Sequence, residues 1–174
     1  VNTSILDNIR GMAYMNNQNL LVTVGSGASQ NTIQQFNTNG DPLGPFINTN
    51  LSSPFGIIMR TEDILVSNSS GTNKINRYDT SGSFIAPFYN GTGLNFPQQI
   101  IRLSDGRIAV AGFSSPSGVI ILDSAGNYIR RLAGVSGNRG VYLLGNGNYL
   151  TTSGTGVFEL DSTTGSVVRT IISG

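Results

Sequence analysis

Short apolar runs alternate with polar turns along the whole chain. One set of runs spans residues 10–14, 55–59, 98–102 and 139–143, and a second set spans residues 20–24, 64–67, 108–111 and 149–152. The runs are too short for typical helices, and none carries a sustained 3.6-residue spacing with helix caps at its ends. The pattern therefore predicts an all-β chain of short strands.

A turn motif recurs after a third set of apolar runs. It begins with Asn or Asp and closes with glycine, at residues 37–40, 79–82, 123–126 and 161–165. The side chain at the first position can accept a hydrogen bond from the backbone two residues on, and the glycine supplies the positive φ that closes such a turn. The chain therefore contains four sequence repeats.

Each repeat holds four short strands, which we name a, b, c and d. Four-stranded units at this period are typical of β-propeller blades, which stack because one sheet cannot bury both of its faces alone. We predict a single β-propeller domain over residues 1–174, with blades at about 6–47, 48–89, 90–132 and 133–174. A β-sandwich is the structural alternative, although it does not need so regular a repeat.

Residues of the second repeat resemble a known family. The runs 54–57, 64–68 and 75–84 look like an NHL repeat, and nearly the whole chain is similar to the NHL and SMP-30-like propellers. The resemblance implies the fold but not one function, because such propellers bind proteins, RNA or sugars, or act as lactonases and lyases.

The number of repeats departs from this family, whose propellers usually have six or more blades. Four blades could close alone, form half of an eight-bladed ring with a second chain, or be a fragment of a larger propeller. We expect residues 1–6 to form a linker into the first blade or an additional edge strand.

Composition narrows the function. The chain has 10 basic and 9 acidic residues, no histidine and no cysteine. Without an imidazole or a thiol, Ser-His-Asp and Cys-His mechanisms are excluded, and the histidine-dependent site of the similar streptogramin lyases cannot be reproduced.

Arg130-Arg131 is the sole basic doublet, so we expect no nucleic-acid partner. No run is long enough to span a membrane. A neutral, hydroxyl-rich surface favours an extracellular or cell-surface location.

The acidic residues offer few catalytic candidates. Six of the nine fall in or beside predicted turns, which leaves Asp7, Glu62 and Glu159. A lactonase of the SMP-30 type holds a divalent metal in its channel, but two of the four residues expected to begin the a strands are arginines, which repel a cation. We therefore expect no catalytic residue, no catalytic metal and no cofactor. A structural calcium in a turn is left open.

Candidate ligand-binding residues lie at the a-strand starts and in the b–c loops. The a-strand candidates are Arg10, Phe55, Gln98 and Arg139. We predict that Arg10, Gln98 and Arg139 meet at the mouth of the channel and clamp an anion or a sugar acid. The alternative is that they fill the channel with water and internal hydrogen bonds. The neutral b–c loops, at 25–31, 68–74 and 112–118, contribute Asn68 and Phe113 as contacts.

Three functions remain from the sequence. The first is a noncatalytic extracellular module for binding, adhesion or scaffolding, with a protein or glycan partner. The second is a lactonase-like hydrolase or lyase with a metal-assisted channel site. The third is a self-assembling surface or filament component, which would make the chain a homo-oligomer. The absence of histidine favours the first.

Overall fold

The computed structural model describes residues 5–72 and 74–174. Residues 1–4 of the expected linker, and Asn73 of the second b–c loop, lie outside the described residues. Within the described residues the chain forms sixteen β-strands and no helix. The all-β prediction is therefore confirmed.

The strands follow one another in four antiparallel sheets of four, each in chain order across the sheet. The first sheet is β1 Ile9–Tyr14, β2 Leu20–Val24, β3 Thr32–Phe36 and β4 Pro42–Ile47. The second is β5 Pro54–Met59, β6 Ile64–Asn68, β7 Ile75–Tyr78 and β8 Phe84–Tyr89. The third is β9 Pro97–Arg102, β10 Ile108–Gly112, β11 Gly118–Leu122 and β12 Tyr128–Leu132. The fourth is β13 Gly140–Leu143, β14 Tyr149–Ser153, β15 Gly156–Leu160 and β16 Val167–Ser173.

These sheets are the four predicted blades, and each repeat supplies one sheet. The chain divides into two compact units, Val1–Phe88 and Tyr89–Gly174, each built around two sheets. The prediction of four four-stranded propeller blades is thus confirmed. The grouping of all four into a single domain stays a prediction.

The repeated turn has the predicted chemistry in all four sheets. In the third sheet, the Asp123 carboxylate accepts hydrogen bonds from the backbone N–H of Ala125 at 2.9 Å and of Asn127 at 2.8 Å. Gly126 closes that turn with a φ of 96°. The first residues of the other three turns accept equivalent bonds, and their closing glycines also have positive φ. The turn sets the c–d hairpin by local interactions alone.

The two sheets of the first unit pack through an apolar core and a backbone contact. Leu21, Ile33 and Ile47 of the first sheet lie in one buried cluster with four residues of the second sheet, Ile57, Ile64, Val66 and Tyr78. Beside this cluster, the Thr23 hydroxyl donates to the Phe55 carbonyl oxygen at 2.8 Å. A Cβ at Gly11 would clash with that same carbonyl. Strands β1 and β5 therefore approach so closely that residue 11 has no room for a side chain.

The second unit packs in the same manner. Val119, Ile121 and Leu132 of the third sheet share a buried cluster with residues of the fourth, among them Val141 and Tyr149. The turn of the fourth sheet also touches the end of β12. The Gly134 N–H donates to the Gly165 carbonyl at 3.0 Å, and a Cβ at Gly165 would lie 2.8 Å from the Cα of Leu132.

The close approach at Gly11 gives a testable difference between two glycines. We expect Gly11→Ala to lower the free energy of unfolding by about 1–3 kcal/mol, because the added methyl group must displace the Phe55 carbonyl and β5. Gly145→Ala is the matched control, since its Cβ would meet no atom within 4 Å. Urea denaturation of both variants measures the effect. Equal stability of the two variants would contradict the close packing of β1 on β5.

Candidate binding site

A residue with positive φ precedes the first strand of each sheet. These residues are Asn8, Ser53, Phe96 and Gly137, with φ of 51°, 51°, 48° and 70°. In the first three sheets the carbonyl of this residue accepts a hydrogen bond from the N–H of the residue that follows strand b. This turn fixes the loop to the entry of strand a. It places the predicted a-strand candidates at one equivalent position in every sheet, two residues further on.

In the first unit the turn brings Arg10 and Phe55 together. The Arg10 guanidinium carbon lies 5.3 Å from the centre of the Phe55 ring, and its Nη1 donates to the Ser53 hydroxyl at 2.7 Å. Its Nε donates to the Asn8 side-chain oxygen at 3.2 Å. Burial lowers the pKa of Arg10 from its ordinary value. The internal hydrogen bonds expected as the alternative role of Arg10 are therefore present.

Two serines link this arginine to Asn68. Asn68 is buried, and its side-chain oxygen accepts from the Ser52 N–H at 3.0 Å. The Ser53 N–H donates to the Asn31 side-chain oxygen at 2.7 Å. Ser52 and Ser53 thus join the d–a connection to both b–c loops of this unit. A small cavity of about 190 Å³ lies here, lined in part by Ser52, Asn68 and the buried Asn76.

In the second unit the equivalent turn builds an aromatic cluster. The guanidinium carbon of the exposed Arg139 lies 4.5 Å from the centre of the Phe113 ring. The Phe113 and Phe96 rings are 5.6 Å apart, centre to centre. Phe113 is half-buried and contacts both Arg139 and Phe96. Gln98 is fully buried in β9.

The structure therefore pairs the candidates within each unit, as Arg10 with Phe55 and Arg139 with Phe113. The clamp formed jointly by Arg10, Gln98 and Arg139 stays a prediction, as does a ligand-binding role for each of the six candidates. Phe96 and Ser53 were missed from the sequence. Each of them stands two residues before a predicted a-strand candidate, and this shared position could have identified them from the sequence.

Glu159, one of the three acids not explained by turns, is buried and fully engaged. Its carboxylate accepts hydrogen bonds from the Asn148 amide at 2.7 Å, the Asn146 amide at 2.9 Å and the Arg169 Nε at 2.7 Å. These three donors, Asn148 first, lower its pKa to about 2. A carboxylate held so strongly in its charged form is a poor general acid at neutral pH.

Asp63 lies in the turn between β5 and β6, and its carboxylate also forms a buried ion pair. This carboxylate is only 1% exposed and pairs with two arginines, Arg60 at 2.6 Å and Arg77. Burial raises its pKa, while the hydrogen bonds and charges of Arg60 and Arg77 lower it by more. The net pKa lies below its usual range, so this carboxylate holds the second sheet together as an ion.

The described residues form neither a metal-binding cluster of acidic, histidine or cysteine side chains nor a membrane-spanning helix. Among residues 5–72 and 74–174, no three Asp, Glu, His or Cys side chains come close enough to hold a metal ion. The structural calcium stays a prediction. In the same part of the chain no helix is long and apolar enough to cross a membrane.

No family model and no curated protein sequence matches this chain. Several solved structures are similar to it. A chain of a nidogen/laminin complex matches with a TM-score of 0.62 and 17% identity over 93% of this chain and 79% of that chain. A gluconolactonase from Xanthomonas campestris matches with a TM-score of 0.74 and 19% identity over 97% of this chain and 64% of that one.

The extracellular domain of a one-component system from B. thetaiotaomicron matches with a TM-score of 0.65 and 18% identity, over 95% of this chain and 24% of that chain. This chain thus spans less than two thirds of the last two structures. At such identities the similarity establishes the fold alone, which is the propeller fold that the resemblance to NHL and SMP-30-like propellers implied.

The lowered pKa of Glu159 predicts how stability depends on pH. Folding favours the ionised carboxylate, so its contribution is complete above the ordinary pKa of 4.5 and is lost as the pH falls toward about 2. We expect wild type to be more stable than Glu159→Gln at neutral pH, and the difference to shrink between those two values. Urea denaturation across this range measures it. A constant difference would contradict the assignment.

Proposed function

We propose that this chain is a noncatalytic binding module that recognises a carboxylate-bearing partner, either a protein or an acidic glycan, through its arginine–aromatic clusters. The observation that carries the proposal is the exposed Arg139 guanidinium stacked on Phe113. Stacking holds the planar guanidinium in one orientation, which lowers the entropic cost of a bidentate bond to a carboxylate. Arg10 on Phe55 is the matching cluster of the first unit.

The use of the acidic residues supports a noncatalytic function. Acid–base catalysis needs a group whose pKa lies near the working pH. The carboxylates of Asp63 and Glu159 have lowered pKa values, as do those of Asp79, Asp105, Asp123 and Asp161, which accept hydrogen bonds in turns. Together with the absence of histidine, this leaves the chain little with which to abstract a proton near neutral pH.

The surroundings of the clusters suit a binding surface. The b–c loops beside them are rich in serine, asparagine and glycine, which supply hydrogen-bonding groups without charge. We infer an extracellular location from this neutral surface and from the two similar structures whose names place them in a nidogen/laminin complex and in an extracellular domain. Adhesion or scaffolding through protein contacts is consistent with the first of these.

Calorimetric titration with trigalacturonate, an acidic sugar oligomer, tests the cluster. We expect Arg139→Ala to weaken binding at least about tenfold, since a charge-assisted hydrogen bond contributes about 1.5–3 kcal/mol. Arg131→Ala removes an exposed arginine of β12 and serves as the matched control, with unchanged affinity. Unchanged binding in the double variant Arg10→Ala/Arg139→Ala would overturn the assignment of the site.

A second assay tests the absence of catalysis. The similarity to a gluconolactonase makes glucono-lactone hydrolysis, measured with added calcium, the most direct comparison. We expect no hydrolysis above the uncatalysed rate. Acceleration that is retained in Arg139→Ala would show that the chain is an enzyme with a site elsewhere.

A further inference from the structure

The first sheet has an apolar face whose side chains on β1 are open to solvent. Ile9, Met12 and Tyr14 of β1 are 55%, 68% and 66% exposed. They pair across the sheet with Val24, Val22 and Leu20, so all six side chains lie on one face. Val22 and Val24 are buried within the chain, and Leu20 is partly exposed. Phe36, paired with Leu20, extends the face to β3. A groove of about 850 Å³ runs along it.

In the second sheet, the equivalent face packs against a neighbouring sheet. By position in the repeat, Met12, Leu20 and Phe36 correspond to Ile57, Ile64 and Tyr78. Those three residues are buried against the first sheet, in the cluster that contains Leu21, Ile33 and Ile47. The open face of the first sheet therefore carries the residues that, one repeat later, contact a preceding sheet.

The c–d turns give an independent sign that a sheet is missing from this face. A Cβ at Gly82 would lie 3.2 Å from the side chain of Ile47, and one at Gly165 would lie 2.8 Å from Leu132. In both units the turn thus rests on the outer strand of the preceding sheet. The equivalent Gly40 has no atom within 4 Å of such a Cβ, and it lines the open groove.

The fourth sheet carries the complementary surface. Val157 and Ile172 are paired across β15 and β16, as Ile33 and Ile47 are paired across β3 and β4. Leu150 stands at the repeat position of Leu21. Ile33 and Ile47 are almost fully buried, whereas Ile172 is 60% exposed. One chain therefore exposes both halves of the contact that joins its own first and second sheets.

We propose that the fourth sheet of a second copy of this chain packs on the open face of the first sheet, with Ile172 next to Gly40 and Leu150 and Val157 facing Met12, Leu20 and Phe36. Such a contact is heterologous, so it either closes or continues into a filament. Propellers typically have four to eight blades, and two copies supply eight sheets. Pairing therefore closes at two copies. Arg10 of the proposed ligand site is among the residues that line this groove, whereas Arg139 of the second unit is not.

Two exposed positions test the contact from its two sides. Met12→Lys alters the first sheet and Ile172→Asp alters the fourth. We expect wild type to sediment with the mass of two chains and each variant alone to sediment with the mass of one. Ile85→Asp, at an exposed apolar position on β8, is the matched control and should retain the mass of two chains. Circular dichroism checks folding, and Tyr14→Lys replaces Met12→Lys if that variant unfolds.

Mixing the two variants separates this arrangement from other modes of pairing. In a mixed pair, one contact joins two unaltered sheets, and the other contact joins the two substituted sheets, one basic and one acidic. We therefore expect an equimolar mixture to recover the mass of two chains. Failure of the mixture to associate, or association of Ile172→Asp alone, would overturn the proposal. A wild-type chain that stays at the mass of one at high concentration would also overturn it and would assign the open face to a different occupant.

Discussion

Direct contact of one sheet's backbone with the next, at positions where no side chain fits, sets the geometry of both units. In the first unit β1 meets the Phe55 carbonyl at Gly11, and Thr23 donates a hydrogen bond to the same oxygen. In the second, Gly165 lies on the end of β12. Apolar clusters supply most of the stabilisation, but these contacts decide how closely the sheets approach and hence where each following strand begins.

Charge is scarce in this chain, and two of its ion-paired residues stand at the same position of the repeat. Arg77 in β7 and Glu159 in β15 occupy equivalent sites on strand c, and their partners Asp63 and Asn148 occupy equivalent sites before strand b. The sign of the charge is reversed between the two sheets, yet the same cross-strand pairing is kept. A buried charge is stable only when it is paired and hydrogen-bonded, which explains why these carboxylates are unsuited to catalysis.

The features that could be predicted from the sequence depend on local interactions. The Asp123–Gly126 turn is written in four consecutive residues, so both its hydrogen bonds and its positive φ were correctly predicted. The positive φ before strand a could not be predicted from local residue types. It falls on four residues that share no side-chain chemistry, namely Asn8, Ser53, Phe96 and Gly137. The double ion pair of Asp63 was also not predicted, because Arg77 lies on a different strand, 14 residues away.

Each sheet ends in an outer strand whose free edge could recruit another strand, and each outer strand carries a residue that discourages this. Strand β4 contains Pro42 and Pro45, and β8 contains Pro87. Proline cannot donate a hydrogen bond to a neighbouring strand. Strands β12 and β16 lack proline and carry arginine instead, at Arg130, Arg131 and Arg169. Because this protein has few charges, net repulsion between copies protects it little against amyloid-like stacking. These edge residues therefore provide most of that resistance.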